Sequence, residues 1–375
     1  MPANAYARRM LRLAAVAAAS ALLLCACSPA QPRAQNSAPA NTTAPAMPNG
    51  EYDVLATQLD APWSIVPLES GVLLSLRDSA QIVHLTDEGD RQVIGTVDAA
   101  APAGEGGLLG LALHSDDTDD AWLYAYVTTA TDNRIVRYPV TGLPHDPQLG
   151  SAVEVLTGIP KATIHNGGRL AFGPDGMLYA TTGDATGGDI AHDVDSLAGK
   201  ILRMTPDGGV PVDNPFDGSL VYSLGHRNPQ GLAWTEDGRM WASEFGQNTW
   251  DELNLIEPGA DYGWPTVEGI AHDESFTDPV LQWSTDEASP SGLTALGDTL
   301  YMAGLGGERL WVITTTADDA QAAAFFEDEL GRIRDVVATA SGSLLLVTNN
   351  TDGRGNPGPD DDRLITVHVN ESGAG

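Results

Sequence analysis

Apolar and polar positions in this chain alternate in short bursts, and helical spacing is nearly absent. From residue 51 onward one unit recurs: a short apolar run, a turn at Asp-Gly or an equivalent, and a second apolar run. The units read SIVPLESGVLLSL from Ser64, GLALHSDDTDDAWLYAYV from Gly110, RLAFGPDGMLYATTGD from Arg169, GLAWTEDGRMWASEFG from Gly231, GLTALGDTLYMAGLGG from Gly292 and DVVATASGSLLLVTNN from Asp335. Taking Ile65, Leu111, Leu170, Leu232, Leu293 and Val336 as equivalent gives spacings of 46, 59, 62, 61 and 43 residues. Most units are followed by a further alternating strand, at 81–85, 134–138 and 309–313. Six units of three to four antiparallel strands predict an all-β chain folded as a six-bladed β-propeller. Residues 52–56 are expected to close the ring by pairing with 364–367, and the one short helix the pattern predicts is 318–330. Two separate sandwiches would need a linker, and none divides 51–370. The wider spacings mark insertions at 185–223 and 248–289, where loops could elaborate a site on one face of the ring.

Ahead of the ring the pattern changes. Arg8, Arg9 and Arg12 precede an apolar stretch, 13–24, too short for a typical spanning helix. It ends in Leu24-Cys25-Ala26-Cys27, which resembles a lipobox, so residues 1–26 are expected to be a lipoprotein signal peptide and Cys27 the lipidated residue. Residues 27–50, rich in Ala, Pro, Ser and Asn, read as a disordered tether to the domain at 51–370. The expected location is therefore outside the cytoplasm, on the cell membrane through that anchor alone. Both cysteines, Cys25 and Cys27, lie ahead of the domain, so the domain has neither a disulfide nor a thiol nucleophile.

Charge narrows the partners. There are 51 Asp and Glu against 19 basic residues, a net charge of −32, and Lys161 and Lys200 are the only lysines. Such a surface repels phosphate, which argues against nucleic acid and anionic lipid as ligands. The acidic runs 116–120 and 360–362 read as solvated turns. No P-loop and no dinucleotide-binding glycine motif occurs.

Three segments carry candidate chemistry. His165, in Ile164-His165-Asn166-Gly167-Gly168-Arg169, stands just before an inner strand, and Asp184 ends the strand after it. A hairpin could set that carboxylate beside the imidazole as in a general base, although a loop histidine capping a backbone group would look the same. His84, His145 and His368 have ordinary structural readings. Arg227, Asn228 and Gln230 precede the next inner strand, and Arg332 and Arg334 precede the sixth. Arginines converging on one channel mouth would suit an oxygen-rich ligand with several negative charges; the alternative is ordinary pairing with the abundant acids. The third segment runs through Glu244, Gly246, Gln247, Asp251 and Glu252 to Tyr262, where turn carbonyls near carboxylates suit Ca²⁺.

With these segments in order along six units, the chain resembles the soluble quinoprotein glucose dehydrogenase and aldose sugar dehydrogenase family. The motifs are Gly104-Glu105-Gly106-Gly107-Leu108-Leu109-Gly110, the His165 and Asp184 pieces, Gly199-Lys200-Ile201-Leu202-Arg203, 224–231, 251–255 with 262–265, and 331–335. The resemblance implies pyrroloquinoline quinone (PQQ) and Ca²⁺ over the channel of a propeller. It implies that His165 takes the proton from the C1 hydroxyl of a sugar, that Asp184 orients it, and that the product is a lactone. Arg227 would stabilise negative charge developing on the quinone oxygen, and Asn228, Gln230, Arg332 and Arg334 would hold the cofactor. Carbonyls of Gly246 and Gln247 would bind its Ca²⁺, while Glu252 and Tyr262 match a second, structural Ca²⁺ site. Glu105 stands where some family members place a substrate-contacting Gln. Gly306 stands where the glucose enzymes carry a cofactor-contacting Lys, with Arg309 as a candidate substitute.

The expectation is thus a PQQ- and Ca²⁺-dependent aldose dehydrogenase, passing electrons to an acceptor whose identity the sequence does not give. Two rivals share the fold. A Ca²⁺-dependent lactonase would hold its metal directly by side-chain carboxylates in the channel and would not need the arginines, so Arg227, Arg332 and Arg334 pointing away from the channel would favour it. A propeller that only binds glycans or proteins would lack the His165–Asp184 pair or have a blocked mouth.

Overall fold

The computed structural model describes residues 45–115, 121–316 and 320–370; the leader, Cys27 and the run 116–120 lie outside them. Six antiparallel sheets follow one another along the chain as the blades of a β-propeller. Their innermost strands are Pro62–Pro67, Leu108–Ser115, Leu170–Phe172, Pro229–Trp234, Pro290–Leu296 and Ile333–Ala338, each followed by its blade's outer strands. All six positions aligned by repeat spacing fall in these strands and are buried. The ring closes as the sequence predicts: Pro48–Ala56 is the outermost strand of blade 6, pairing Tyr52 with Val367, Val54 with Ile365 and Ala56 with Leu364. That strand begins at Pro48, inside the segment read as tether.

Each blade is covered on both faces by its neighbours, which is why second strands such as Val72–Leu76 and Leu344–Thr348 read as nearly unbroken apolar runs. The core is correspondingly divided into six clusters, one at each blade-to-blade interface. Two expectations fail. Within 318–330, residues Ala320–Phe325 form the outer strand of blade 5, pairing Leu310 with Phe325 and Ile313 with Ala322. The alanine-rich composition favours a helix, but the open edge of the blade supplies a hydrogen-bond ladder that overrides it. The run 360–362 is not uniformly solvated either. Asp362 is fully buried, and its carboxylate accepts hydrogen bonds from Thr348, Asn350 and Thr351.

Candidate active site

The loops leading into the inner strands converge on one face of the ring around a cavity of about 330 Å³. Its walls include His165, Arg227, Asn228, Gln230, Arg332, Arg334, Glu105, Gly246 and Gln247, residues that the sequence places in four different blades or their connections. Asp184 stands behind His165. Of the two insertions the second reaches the wall, through Asp251, Thr285 and Ser289, and its Trp264 bonds to Asp184 behind the base; the first, with its 3₁₀ turn Gly188–His192, does not line the cavity.

His165 and Asp184 form the hairpin pair foreseen from spacing. Nδ1 of His165 lies 2.8 Å from Oδ1 of Asp184. That carboxylate also accepts the Thr186 amide at 2.8 Å and the Trp264 indole N–H at 2.9 Å. Burial works to raise the Asp184 pKa, but the hydrogen bonds from His165 and Trp264 outweigh it and hold the group below the usual carboxylate range. On the other side of the ring, Nε2 lies 2.8 Å from Nη2 of Arg227. A guanidinium has donors only, so Nε2 accepts and the imidazole proton sits on Nδ1, where it donates to Asp184. His165 is thereby fixed as the neutral tautomer whose basic nitrogen faces the cavity side. The backbone here is strained: His165 (φ 58°), Ala185 (φ 49°) and Thr186 (φ 64°) all lie in the left-handed region.

The arginines are short of acid. Arg227 stacks 5.5 Å from the centre of the Trp264 ring and donates to the Phe245 carbonyl at 3.1 Å, yet its buried Nε has no partner. Desolvation lowers its pKa. Arg332 and Arg334 share one carboxylate, Asp352, at 3.1 and 3.8 Å, and the buried Nε of Arg332 is also unpartnered. Burial, with Arg77 and Arg332 nearby, pushes the Arg334 pKa down to about 9 despite Asp352. Its nitrogens turn instead to neutral oxygens, Asn349 Oδ1 at 2.9 Å and Gln230 Oε1 at 2.9 Å. Asn228 Oδ1 accepts the Gly167 amide at 2.9 Å, tying the base-bearing segment to blade 4.

The turn after Glu244 is built for oxygen ligation. Asp251 accepts the Gly246 amide at 2.8 Å and Glu268 accepts the Gln247 amide at 2.6 Å, while no described residue donates to either carbonyl. Asp251 itself lines the cavity, and burial raises its pKa to about 6. Glu252 and Tyr262 lie apart from the main cavity, around a void of about 10 Å³ that Glu244 and Glu268 also line. Burial and the facing Glu244 carboxylate raise the Glu252 pKa. Tyr262 Oη donates to the Leu255 carbonyl at 2.5 Å. Among the described residues, no three His, Cys, Asp or Glu side chains converge as a metal cluster.

Arg309 does not stand in for a lysine at Gly306. It pairs with Glu327 at 2.9 Å and with the Gly307 carbonyl at 2.7 Å, away from the cavity wall. Residues that sequence reasoning missed take part instead: Arg77, Trp63, Ser289 and Arg354 line the cavity, and Asp352 anchors two of its arginines. The surplus of arginine over lysine was one available signal.

The family model for glucose / sorbosone dehydrogenase matches residues 59–357. The chain is 28% identical over 347 residues to the aldose sugar dehydrogenase YliI of Escherichia coli, covering 83% of this chain and 92% of that enzyme. It is 36% identical over 203 residues to the quinoprotein glucose dehydrogenase B of Acinetobacter calcoaceticus, a match spanning 46% of this chain and 42% of that protein. The solved PQQ-bound aldose sugar dehydrogenase of Streptomyces coelicolor superposes with a TM-score of 0.82 at 50% identity, covering 86% of this chain and 100% of that one.

Proposed function

This chain belongs to the glucose/sorbosone dehydrogenase family, and from that membership we propose that it is a PQQ-dependent dehydrogenase oxidising aldose sugars at C1 to lactones with the help of Ca²⁺. The observation that carries the reading is the cavity's unbalanced charge: Arg227, Arg332 and Arg334 line it, two buried guanidinium nitrogens are unpartnered, and Arg332 and Arg334 share a single carboxylate. A flat, polycarboxylate quinone fits that donor set, with Asn228 and Gln230 facing it as further polar contacts. The free carbonyls of Gly246 and Gln247 fit a hard cation beside it, and Glu252 with Tyr262 fit a second Ca²⁺ that would relieve the buried carboxylates.

PQQ, when bound, would supply the acceptor for the hydride of sugar C1, and Ca²⁺ would supply a Lewis acid beside it. The chain's residues handle the proton and the charge. His165 Nε2 takes the proton of the C1 hydroxyl, which replaces Arg227 as its hydrogen-bond partner. Asp184, already accepting from Nδ1, stabilises the imidazolium that results. Arg227, freed from Nε2, turns its N–H groups to negative charge developing on the cofactor oxygen. Trp63 forms part of the floor, with Arg169 stacked 4.5 Å from its ring centre. Electrons leave to an acceptor outside the chain, and attachment through Cys27 would place the reaction on the exported side of the membrane. Arginines lining the cavity count against the lactonase reading, and the His165–Asp184 pair beside an open cavity counts against the binding-only reading.

The test is dye-coupled oxidation of a panel of aldoses by protein reconstituted with PQQ and Ca²⁺. His165→Ala is expected to lower kcat by about 10²-fold or more with cofactor affinity retained. Absence of turnover with every aldose, in protein shown to have bound the quinone, would contradict the proposal.

A further inference from the structure

We propose that Glu105 is a positioning residue for His165, locked by Arg354, so that the base is held through its backbone as well as through its ring. The inference rests on the reading of His165 as the base. His165 occupies the left-handed region at φ 58°, a conformation that a non-glycine residue keeps only when its surroundings impose it. Glu105 imposes it from outside the hairpin: Oε2 accepts the His165 amide at 2.9 Å. The other oxygen, Oε1, accepts Nη2 of Arg354 at 2.9 Å. Both oxygens of this carboxylate are therefore engaged by the protein.

The two segments are buttressed against each other. The Glu105 amide donates to the Thr163 carbonyl at 2.8 Å, and Gly104 at φ 62° packs so tightly that a Cβ there would collide with that same oxygen. Arg354 is half exposed, at 51%, and a free surface pair of this kind contributes little. Its loop, however, is pinned. The Arg354 amide donates to Asp352 Oδ1 at 2.9 Å, Asp352 Oδ2 accepts from Arg332 at 3.1 Å, and Asn350 Oδ1 accepts the Arg332 amide at 2.9 Å. A continuous hydrogen-bonded path thus runs from an anion-facing arginine of blade 6 to the backbone of the base in blade 3.

Removing the carboxylate leaves the His165 amide without its acceptor in a strained segment. The imidazole then loses one of the constraints that aim Nε2 into the cavity. A Glu105 that served only to hold a substrate hydroxyl would instead change substrate affinity and leave the ligand-free protein untouched.

The experiment reads amide hydrogen exchange at His165 in the cofactor-free full-length protein, together with kcat and KM of the reconstituted enzyme. In Glu105→Ala, exchange at His165 should accelerate by about tenfold or more while core amides such as Leu346 are unaffected. The loss in activity should fall on kcat, with KM within about twofold of the parent. Glu105→Gln, which keeps an oxygen for the His165 amide, should restore protection. Arg354→Ala should give a smaller, salt-sensitive acceleration of about two- to threefold. Unchanged exchange at His165 in Glu105→Ala, or a raised KM at unchanged kcat, would overturn the proposal. Because exchange is read without cofactor, a chain that shows the exchange pattern but no dehydrogenase activity would sustain the clamp and count against the functional reading instead.

Discussion

Two sets of buried arginines lie close together in this ring and are treated oppositely by their surroundings. Arg169, immediately before the inner strand of blade 3, meets Asp335 of blade 6 through Nη2 at 3.0 Å and Nη1 at 3.1 Å. It also donates to the Gln230 carbonyl at 2.8 Å, and Ser64 Oγ lies at 3.4 Å from Nη1. Four blades are thus joined across the channel by one guanidinium with its own fully buried carboxylate. Above it, Arg332 and Arg334 divide one carboxylate between them, and Arg227 leans on a carbonyl and a neutral imidazole. The first is a guanidinium matched by a carboxylate of its own, although its Nη2 makes only the ion pair and no aligned hydrogen bond. The second is a set of charges left short of partners, which is what a site for an external anion requires.

The comparison can be broken most forcefully at the floor. Arg169→Ala should lower stability by about 3–5 kcal/mol in denaturant titration, because it leaves the buried Asp335 carboxyl without its cation. Replacing both partners, as Arg169→Met with Asp335→Leu, should cost clearly less than the single change. At the cavity the effect should move from stability to affinity. Arg334→Met should leave the ligand-free protein as stable as the parent or more so, and weaken PQQ binding by about 10- to 100-fold in an absorbance titration. Equal destabilisation by Arg169→Ala and Arg334→Met would erase the distinction. A gentler probe is a multivalent carboxylate such as citrate. At concentrations several times its dissociation constant it should raise the stability of the parent by about 1 kcal/mol in thermal melts, and by less in Arg334→Met.

The smallest effect is in titration. Carboxyl ¹³C spectra should place Asp251 near 6 and both Asp184 and Asp352 below the ordinary carboxylate range. For Asp251 the folded value is raised, so the folded state holds the extra proton between about pH 4 and 6. Its contribution therefore makes the ligand-free protein less stable as pH rises through that window. For Asp184 and Asp352 the sign reverses: their contribution is full above the ordinary carboxylate pKa and is lost as pH falls through their depressed values. A bound Ca²⁺ should pull the Asp251 value down, which the same spectra would read.

The contrast between floor and cavity also separates what was legible in the sequence from what was not. The ring itself was legible, because every blade repeats one hydrophobic unit and the six inner positions keep phase. The residues of the cavity that precede or open inner strands, His165, Arg227, Asn228, Gln230, Arg332 and Arg334, were legible for the same reason: the repeat fixes which end of each blade they occupy. Arg169 and Asp335 fall within the recurring motifs, but nothing in their spacing of 166 residues announces that they pair across the channel. Arg77, Asp352 and Arg354 come from connections that the repeat does not phase, so their convergence depends on loop geometry alone. Ala320–Phe325 was misread because edge strands answer to a free ladder more than to composition.

The measurement that bears most directly on the account is a titration of the purified full-length protein with PQQ in the presence of Ca²⁺, followed by tryptophan fluorescence, since Trp63 lines the cavity and Trp264 packs beside Arg227 and Asp184. The account predicts saturable quenching at one equivalent, competed by citrate and weakened in Arg334→Met. A folded protein that shows no saturable binding, or that binds with equal affinity after Arg334→Met, would contradict it.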